Sequence, residues 1–173
     1  MIPNEDECLR LLRVAGCGDE VVSHCVAVKN LAVIISEKCG ANTELVKAGA
    51  LLHDIGRSKT HSPRHAIEGA AIARWLGLPE EIEKIIERHI GGGIPKEEAR
   101  ALGLPAKDYV PETLEEKIVA HADNLIASDR KEKLTELTER YLKKGLRPAA
   151  DRIIELHSEL SRLCGVDLDN IQL

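Results

Sequence analysis

Aromatic side chains are almost missing from this sequence: there is no phenylalanine, one tryptophan and two tyrosines. A core must therefore come from leucine, isoleucine, valine and alanine, and the stacking platforms that grip single-stranded nucleic acid have little material. Basic charge is short as well. Lysine and arginine total 24 against 29 acidic residues, a net of −5 with neutral histidines. The cations are scattered, which argues against a nonspecific hold on nucleic acid or on an anionic membrane. No apolar run approaches the ~20 residues that span a bilayer. The acidic start from Met1 to Glu7 lacks the basic and apolar segments of a signal peptide. Five cysteines without a Cys-x-x-Cys pair read as reduced thiols in a cytoplasmic protein.

Helix punctuation, by contrast, is dense. The 173 residues suit one domain, 1–173, and a chain of this length buries enough surface to need no staples. Asp19 caps a helix that Gly40 stops. Asn42 caps a second, which carries Leu45, Val46, Ala48, Leu51 and Leu52 to a His53-Asp54 doublet, with Gly56 as its end. Ser62 before Pro63 opens a third, closed by Gly77. Pro79 opens a fourth, running through His89 to Gly91-Gly92-Gly93. Thr113 and Glu116 have capping-box spacing for a helix through Ile118, Val119, Ala122 and Leu125. Two more follow in 132–164. With no period-2 pattern, the fold class is all-α. The segment 91–111, rich in glycine and proline around a short helical stretch from Lys96 to Leu102, reads as a lid, a pocket wall or a plain connector.

Four histidines and two aspartates stand out against this frame: His24, His53, Asp54, His65, His89 and Asp123. Imidazole and carboxylate suit divalent transition metals without any thiolate. Successive helical residues diverge by about 100°, so His53 and Asp54 converge on one site only at a helix end. His24, His53, Asp54 and Asp123 make a first metal site with open positions for water and substrate oxygen. His65 and His89 can hold a second ion, with Asp54 bridging the pair. Arg57, Lys59 and Arg64 flank these ligands and are candidates for phosphate oxygens, or equally solvated surface charges. Glu68 either orients His65 or pairs with Arg64. His121, some 200° from Asp123 on its helix, reads as structural or second to the metal. His61 reads as a loop residue and His157 as an ordinary one.

The order His24…His53-Asp54…Asp123 resembles the defining pattern of the HD superfamily of metal-dependent phosphohydrolases. The added His65 and His89 resemble its six-ligand, binuclear branch. His65-Ala66-Ile67-Glu68-Gly69-Ala70 and Ala122-Asp123-Asn124 are similar to elements of bacterial diadenosine tetraphosphate hydrolases, and the whole pattern to archaeal HD proteins of no assigned substrate. The resemblance covers about 22–128, leaving 132–164 to pack on that region or on a partner. It implies an HD-domain helical bundle with one or two divalent ions (Fe, Mn, Co or Ni). The activity implied is cleavage of a phosphoester or phosphoanhydride bond of a small nucleotide by a metal-activated hydroxide. Asp54, His65 and Arg57 are the expected catalytic residues. A cyclic dinucleotide is disfavoured, because His89 is followed by Ile90-Gly91 rather than His-Glu, and Arg57 replaces a common lysine. The alternatives are a diiron oxygenase with the same ligands and a non-catalytic metal or nucleotide sensor.

Overall fold

Leucine, isoleucine, valine and alanine at helical spacing produce nine α-helices in the computed structural model, which describes residues 1–173. In chain order these are α1 (Glu5–Ala15), α2 (Asp19–Cys39), α3 (Thr43–Leu52), α4 (His65–Trp75), α5 (Glu80–Glu87), α6 (Lys96–Ala101), α7 (Leu114–Leu125), α8 (Leu134–Lys143) and α9 (Arg147–Cys164). The all-α expectation holds, with one small addition. Two-residue strands β1 (Ile126–Ala127) and β2 (Arg130–Lys131) form an antiparallel hairpin, whose turn places Ser128 at φ 59°.

Side-chain caps fix several helix starts. The Asn42 side chain accepts from the Leu45 amide at 3.1 Å and Thr113 from the Glu116 amide at 3.2 Å, satisfying amides the helix itself leaves open. Two expected caps are displaced. Gly18, not Asp19, precedes α2, and α4 begins at His65 because Ser62 to Arg64 form turns, with the Ser62 carbonyl accepting from the His65 amide. Helix α3 also stops at Leu52, before Gly56, which lies within a 3-10 turn over Ile55–Ser58.

Helix α3 packs against α1, α2, α5 and α7, so its apolar side chains meet the core on several sides. One core runs through Leu31 and Ile35 of α2, Leu51 and Leu52 of α3, Ile82, Ile85 and Ile86 of α5, and Ile118 and Leu125 of α7. Ile153, Leu156 and Leu160 of α9 join the same core. A smaller cluster of Ile94, Ala99, Leu104 and Tyr109 sits under segment 91–111, where Ile94 and Tyr109 exchange both backbone hydrogen bonds. The reduced-thiol expectation is corrected for one pair: Cys39 and Cys164, at the C-terminal ends of α2 and α9, form a disulfide. Helix packing brings together residues 125 apart in sequence, which spacing could not reveal. Cys8, Cys17 and Cys25 remain free. No helix is long and apolar enough to cross a membrane.

Two glycines bring the turn after α3 against α4. A Cβ on Gly56 would lie 1.8 Å from the His65 carbonyl oxygen and 2.5 Å from the Gly69 nitrogen. A Cβ on Gly69 would lie 2.7 Å from Ile86 Cγ2. Only glycine lets the turn after Asp54 lie flat on the first turns of α4, and that contact carries His65 to Asp54.

Candidate metal centre

Six side chains from five elements converge. His24 comes from α2, His53 and Asp54 from the end of α3 and the turn after it, His65 from the first turn of α4, His89 from just past α5, and Asp123 from α7. His53, Asp54, His65 and His89 are buried, while His24 and Asp123 are partly exposed at the rim. The end of α5 is held by Arg88, whose guanidinium lies 3.0 Å from both Glu112 and the buried Glu116, and this fixes the adjoining His89.

Each imidazole is oriented in the same way. The Nδ1 atoms of His24, His53, His65 and His89 lie 2.6, 2.7, 2.7 and 2.6 Å from the carbonyl oxygens of Ser128, Ala50, Ser62 and Ile86. A carbonyl only accepts, so every Nδ1 carries hydrogen and every Nε2 points inward, where it offers a lone pair to a metal ion or holds a proton in its place. Those nitrogens meet the carboxylates. Asp123 Oδ1 is 2.8 Å from His24 Nε2 and 3.3 Å from His53 Nε2. Asp54 turns Oδ2 toward His53, at 3.6 Å, and Oδ1 toward His65 and His89, at 3.1 and 3.5 Å. His65 and His89 approach Nε2 to Nε2 at 3.1 Å.

Lone pairs facing lone pairs repel unless a cation lies between them. Buried His53 Nε2 and Asp54 Oδ1 have no hydrogen-bond partner, a costly arrangement in an apolar interior. The same demand for positive charge appears in the titration behaviour. Burial opposes charging of His53, but Asp54, Cys25 and Asp123 outweigh it and hold its pKa well above the usual histidine value. Burial works against ionising Asp54 and Asp123 too, yet His53 and the neighbouring imidazoles keep both well below the usual carboxylate range. His89, fully enclosed, is driven down by burial. The donor set fits metal ions: His24, His53 and Asp123 form one cluster of ligand atoms, and His53, Asp54 and His89 another.

The three flanking cations separate. Arg57 reaches the centre, its Nε donating to Asp54 Oδ2 at 2.7 Å. Lys59 instead lines a groove with Leu11 and Trp75 on another face. Arg64 is half exposed and lies 3.9 Å from Glu68, the plain salt bridge allowed by their i,i+4 spacing. His157, read from sequence as an ordinary residue outside the motif, lies away from the six ligands. It is buried, lies 2.9 Å from buried His121 and donates to Asp167 at 3.0 Å. Burial, and after it the neighbouring His157, push His121 down to about 3.

Residues beyond the six ligands also face the centre. A cleft of about 200 Å³ over the ligands is lined by Arg57, His65, His89 and Asp123, and also by Asn124, Arg140 and Tyr141. Asn124 ties the loop to α7 by donating to the Gly91 carbonyl at 2.9 Å. Arg140 and Tyr141 belong to α8, where no motif marks them. Of segment 91–111, Gly91 reaches the wall of the cleft, and Arg152 Nε pins the segment through the Gly93 carbonyl at 3.2 Å.

The chain belongs to the HD-domain family, whose model matches residues 21–128. It is 51% identical over 171 residues to the tRNA (cytidine(56)-2'-O)-methyltransferase of Thermoplasma volcanium, an alignment covering 99% of this chain and 51% of that protein. It is 49% identical over 154 residues to the uncharacterised protein MJ0778 of Methanocaldococcus jannaschii, covering 85% of this chain and 91% of that one. The crystal structure of the L. monocytogenes phosphodiesterase PgpH HD domain in complex with cyclic-di-AMP superposes with a TM-score of 0.56 at 20% identity, covering 96% of this chain and all of that one. That likeness establishes the fold. The chain spans about half the length of the curated methyltransferases it matches.

These relatives correct the expected activity and partner. The phosphohydrolase reading, both as function and as enzyme class, gives way because relatives 51% identical across nearly the whole chain are named for 2'-O-methylation of tRNA. The expectation of a small-molecule phosphate or nucleotide as partner, without nonspecific nucleic-acid binding, gives way on the same ground. The physical reasons are plain. Six ligands specify a metal platform rather than the reaction run on it, and a net charge is a whole-chain sum that is blind to local cations at a cleft.

Proposed function

We propose that this chain serves tRNA 2'-O-methylation as a metal-holding HD module that docks a tRNA backbone phosphate. The observation that carries the reading is the 51% identity running over 99% of the chain to a protein named for that modification. The site chemistry is compatible with it. His24, His53, Asp54 and Asp123 would hold one divalent ion, and Asp54, His65 and His89 a second, with Asp54 offering one oxygen to each side. Imidazole ligands favour Mn, Fe, Co or Ni over Mg. When bound, such ions supply positive charge and open coordination positions for an anionic oxygen. On a chain with a net charge of −5, that charge is what would draw a phosphodiester to this cleft.

The chain's own residues would do the rest. The carbonyls at Ala50, Ser62, Ile86 and Ser128 hold the imidazoles in ligand orientation. Arg57, anchored on Asp54, and Arg140, paired with Glu132, are the cations placed to meet phosphate oxygens at the cleft mouth.

Two measurements test this. Fluorescence anisotropy with an unmodified tRNA transcript should give Mn²⁺-dependent binding that chelation and Asp54→Ala both remove. Mass spectrometry of tRNA from cells lacking the gene should show the ribose methyl of cytidine 56 lost or reduced. No tRNA binding would overturn the docking role, and an intact methyl level would overturn the link to methylation.

A further inference from the structure

A second and larger cavity adjoins the metal cleft. It occupies about 450 Å³ between the glycine loop, α6 and the α8–α9 corner, a volume within the range of small-molecule pockets. Ile90, Gly91 and Tyr141 belong to the walls of both cavities, so the two spaces lie side by side, with Tyr141 on their common edge. The cavity is mostly apolar: Leu102, Leu146, Pro148 and Ala149 line it beside Ile90 and Tyr141. Its wall is also built rather than loose. A Cβ on Gly92 would lie 2.8 Å from Arg152 backbone, and one on Gly93 would lie 2.9 Å from Val110 Cα, so both glycines are pressed against their neighbours. Gly91, at φ 58°, leaves its space open toward the Tyr141 hydroxyl, 3.6 Å from where a Cβ would stand. Arg152 holds the wall through the Gly93 carbonyl and through Glu98 at 2.6 Å.

The geometry points to this cavity as a nucleobase pocket, which takes the base of the RNA unit whose phosphate lies at the metal centre. The inference rests on the proposed docking of phosphate at the metals, and adds the base. An apolar cavity beside an anion-binding cleft matches the two chemistries of a nucleotide. The common edge carries an aromatic ring, and bases stack on such rings with little dependence on sequence. Tyr141 is one of only two tyrosines in the chain, and it stands on α8, outside the matched family residues 21–128. Leu146, Pro148 and Ala149 lie outside them too. The pocket is therefore closed by this chain's C-terminal helices against the glycine loop and α6.

Calorimetry on the full chain loaded with Mn²⁺ tests it with three probes: inorganic phosphate, cytidine and cytidine 5'-monophosphate. The nucleotide should bind about 5- to 150-fold tighter than phosphate, the increment of about 1–3 kcal/mol expected of one stacked base. Ala149→Trp, which places an indole in the cavity, should erase that difference while leaving Mn²⁺ content and phosphate affinity as in the wild type. Tyr141→Phe should retain most of the increment and Tyr141→Ala should lose it, separating stacking from the hydroxyl. Equal affinities for phosphate and nucleotide, or an increment untouched by Ala149→Trp, would overturn the pocket and leave the metal reading standing. If phosphate does not bind, the phosphate reading falls instead. Cytidine alone then decides the pocket, which stands if Ala149→Trp abolishes its binding and falls if cytidine does not bind.

Discussion

Gly56→Ala should convert a two-metal centre into a one-metal centre. The added Cβ would sit 1.8 Å from the His65 carbonyl oxygen, and real Cβ atoms essentially never approach closer than 3.0 Å. The backbone must therefore separate by roughly 1.2 Å, well above the ~0.2 Å tolerance of a metal–ligand bond. The atoms involved are backbone on both sides, which cannot rotate away as a side chain could. Moving the start of α4 moves His65, whose Nε2 lies 3.1 Å from Asp54 Oδ1 and 3.1 Å from His89 Nε2. The other half of the site, His24, His53 and Asp123, is held by α2, α3 and α7 and does not touch this contact. Overpacking of this kind costs about 1–3 kcal/mol, which for a chain of this size lowers Tm by roughly 2–12 °C. Metal analysis after saturation with Mn²⁺ should find near two ions in the wild type and near one in the variant, with the Tm drop seen by calorimetry. A variant that keeps two ions and the parental Tm would refute the claim that the glycine contact positions His65.

The same geometry sets the other expected outcomes. Asp54→Ala should empty both metal positions, since its two oxygens face different histidines, whereas His61→Ala should leave metal content unchanged by the same analysis. Arg88→Ala leaves Glu116, 3% exposed, without its cation. It should destabilise the chain by about 3–5 kcal/mol in urea unfolding, and adding Glu116→Gln should recover part of the loss. Burial pushes the Cys8 thiol up to about 12 and Cys17 up to about 11. Both should therefore resist iodoacetamide at pH 8 in the native state and react on unfolding, as peptide mass spectrometry can read. Reducing Cys39–Cys164, which closes a loop spanning 125 residues, should lower stability by up to about 5 kcal/mol. With two arginines at the cleft, tRNA affinity should fall with salt at a log–log slope of about −1 to −2, and a far steeper slope would require a basic surface beyond the cleft.

Most of the helices announce themselves locally, and that is why they can be read from sequence. Asn42 and Thr113 act on amides three residues away, and glycines at positions 40 and 165 end their helices in the left-handed conformation. Helix α1, which the sequence reading lacks, carries an equally local signal: Asn4 and Glu7 form a full capping box, Cys8 and Leu12 supply a buried stripe, and Gly16 stops it. The displaced starts have a different cause. Asp19 and Ser62 have cap chemistry, but Gly18 stands at the cap of α2, and at α4 the chain path is set by the flat contact of Gly56 on its first turns. The disulfide and the His121–His157 pair join residues 125 and 36 apart, and no local rule reports on such distances.

The candidate site divides along the same line. Its ligand types and their order are written in the chain, because imidazole and carboxylate chemistry is a property of the residues. The orientation of those ligands is not, since each imidazole is aimed by a backbone carbonyl whose position exists only after folding. Arg57, Lys59 and Arg64 are alike in sequence proximity, yet only Arg57 turns inward, because it lies one helical turn from Asp54 while Lys59 and Arg64 fall on other faces of the following turn and helix. Substrate class was the least legible of all. The ligands that mark the family are shared by proteins that differ in what they act on, so they cannot choose among partners. Arg140 and Tyr141 line the cleft from α8, and Ala149 lines the adjoining cavity from α9. Their spacing there serves helix packing first, so a helix that also lines a pocket looks in sequence like one that only packs.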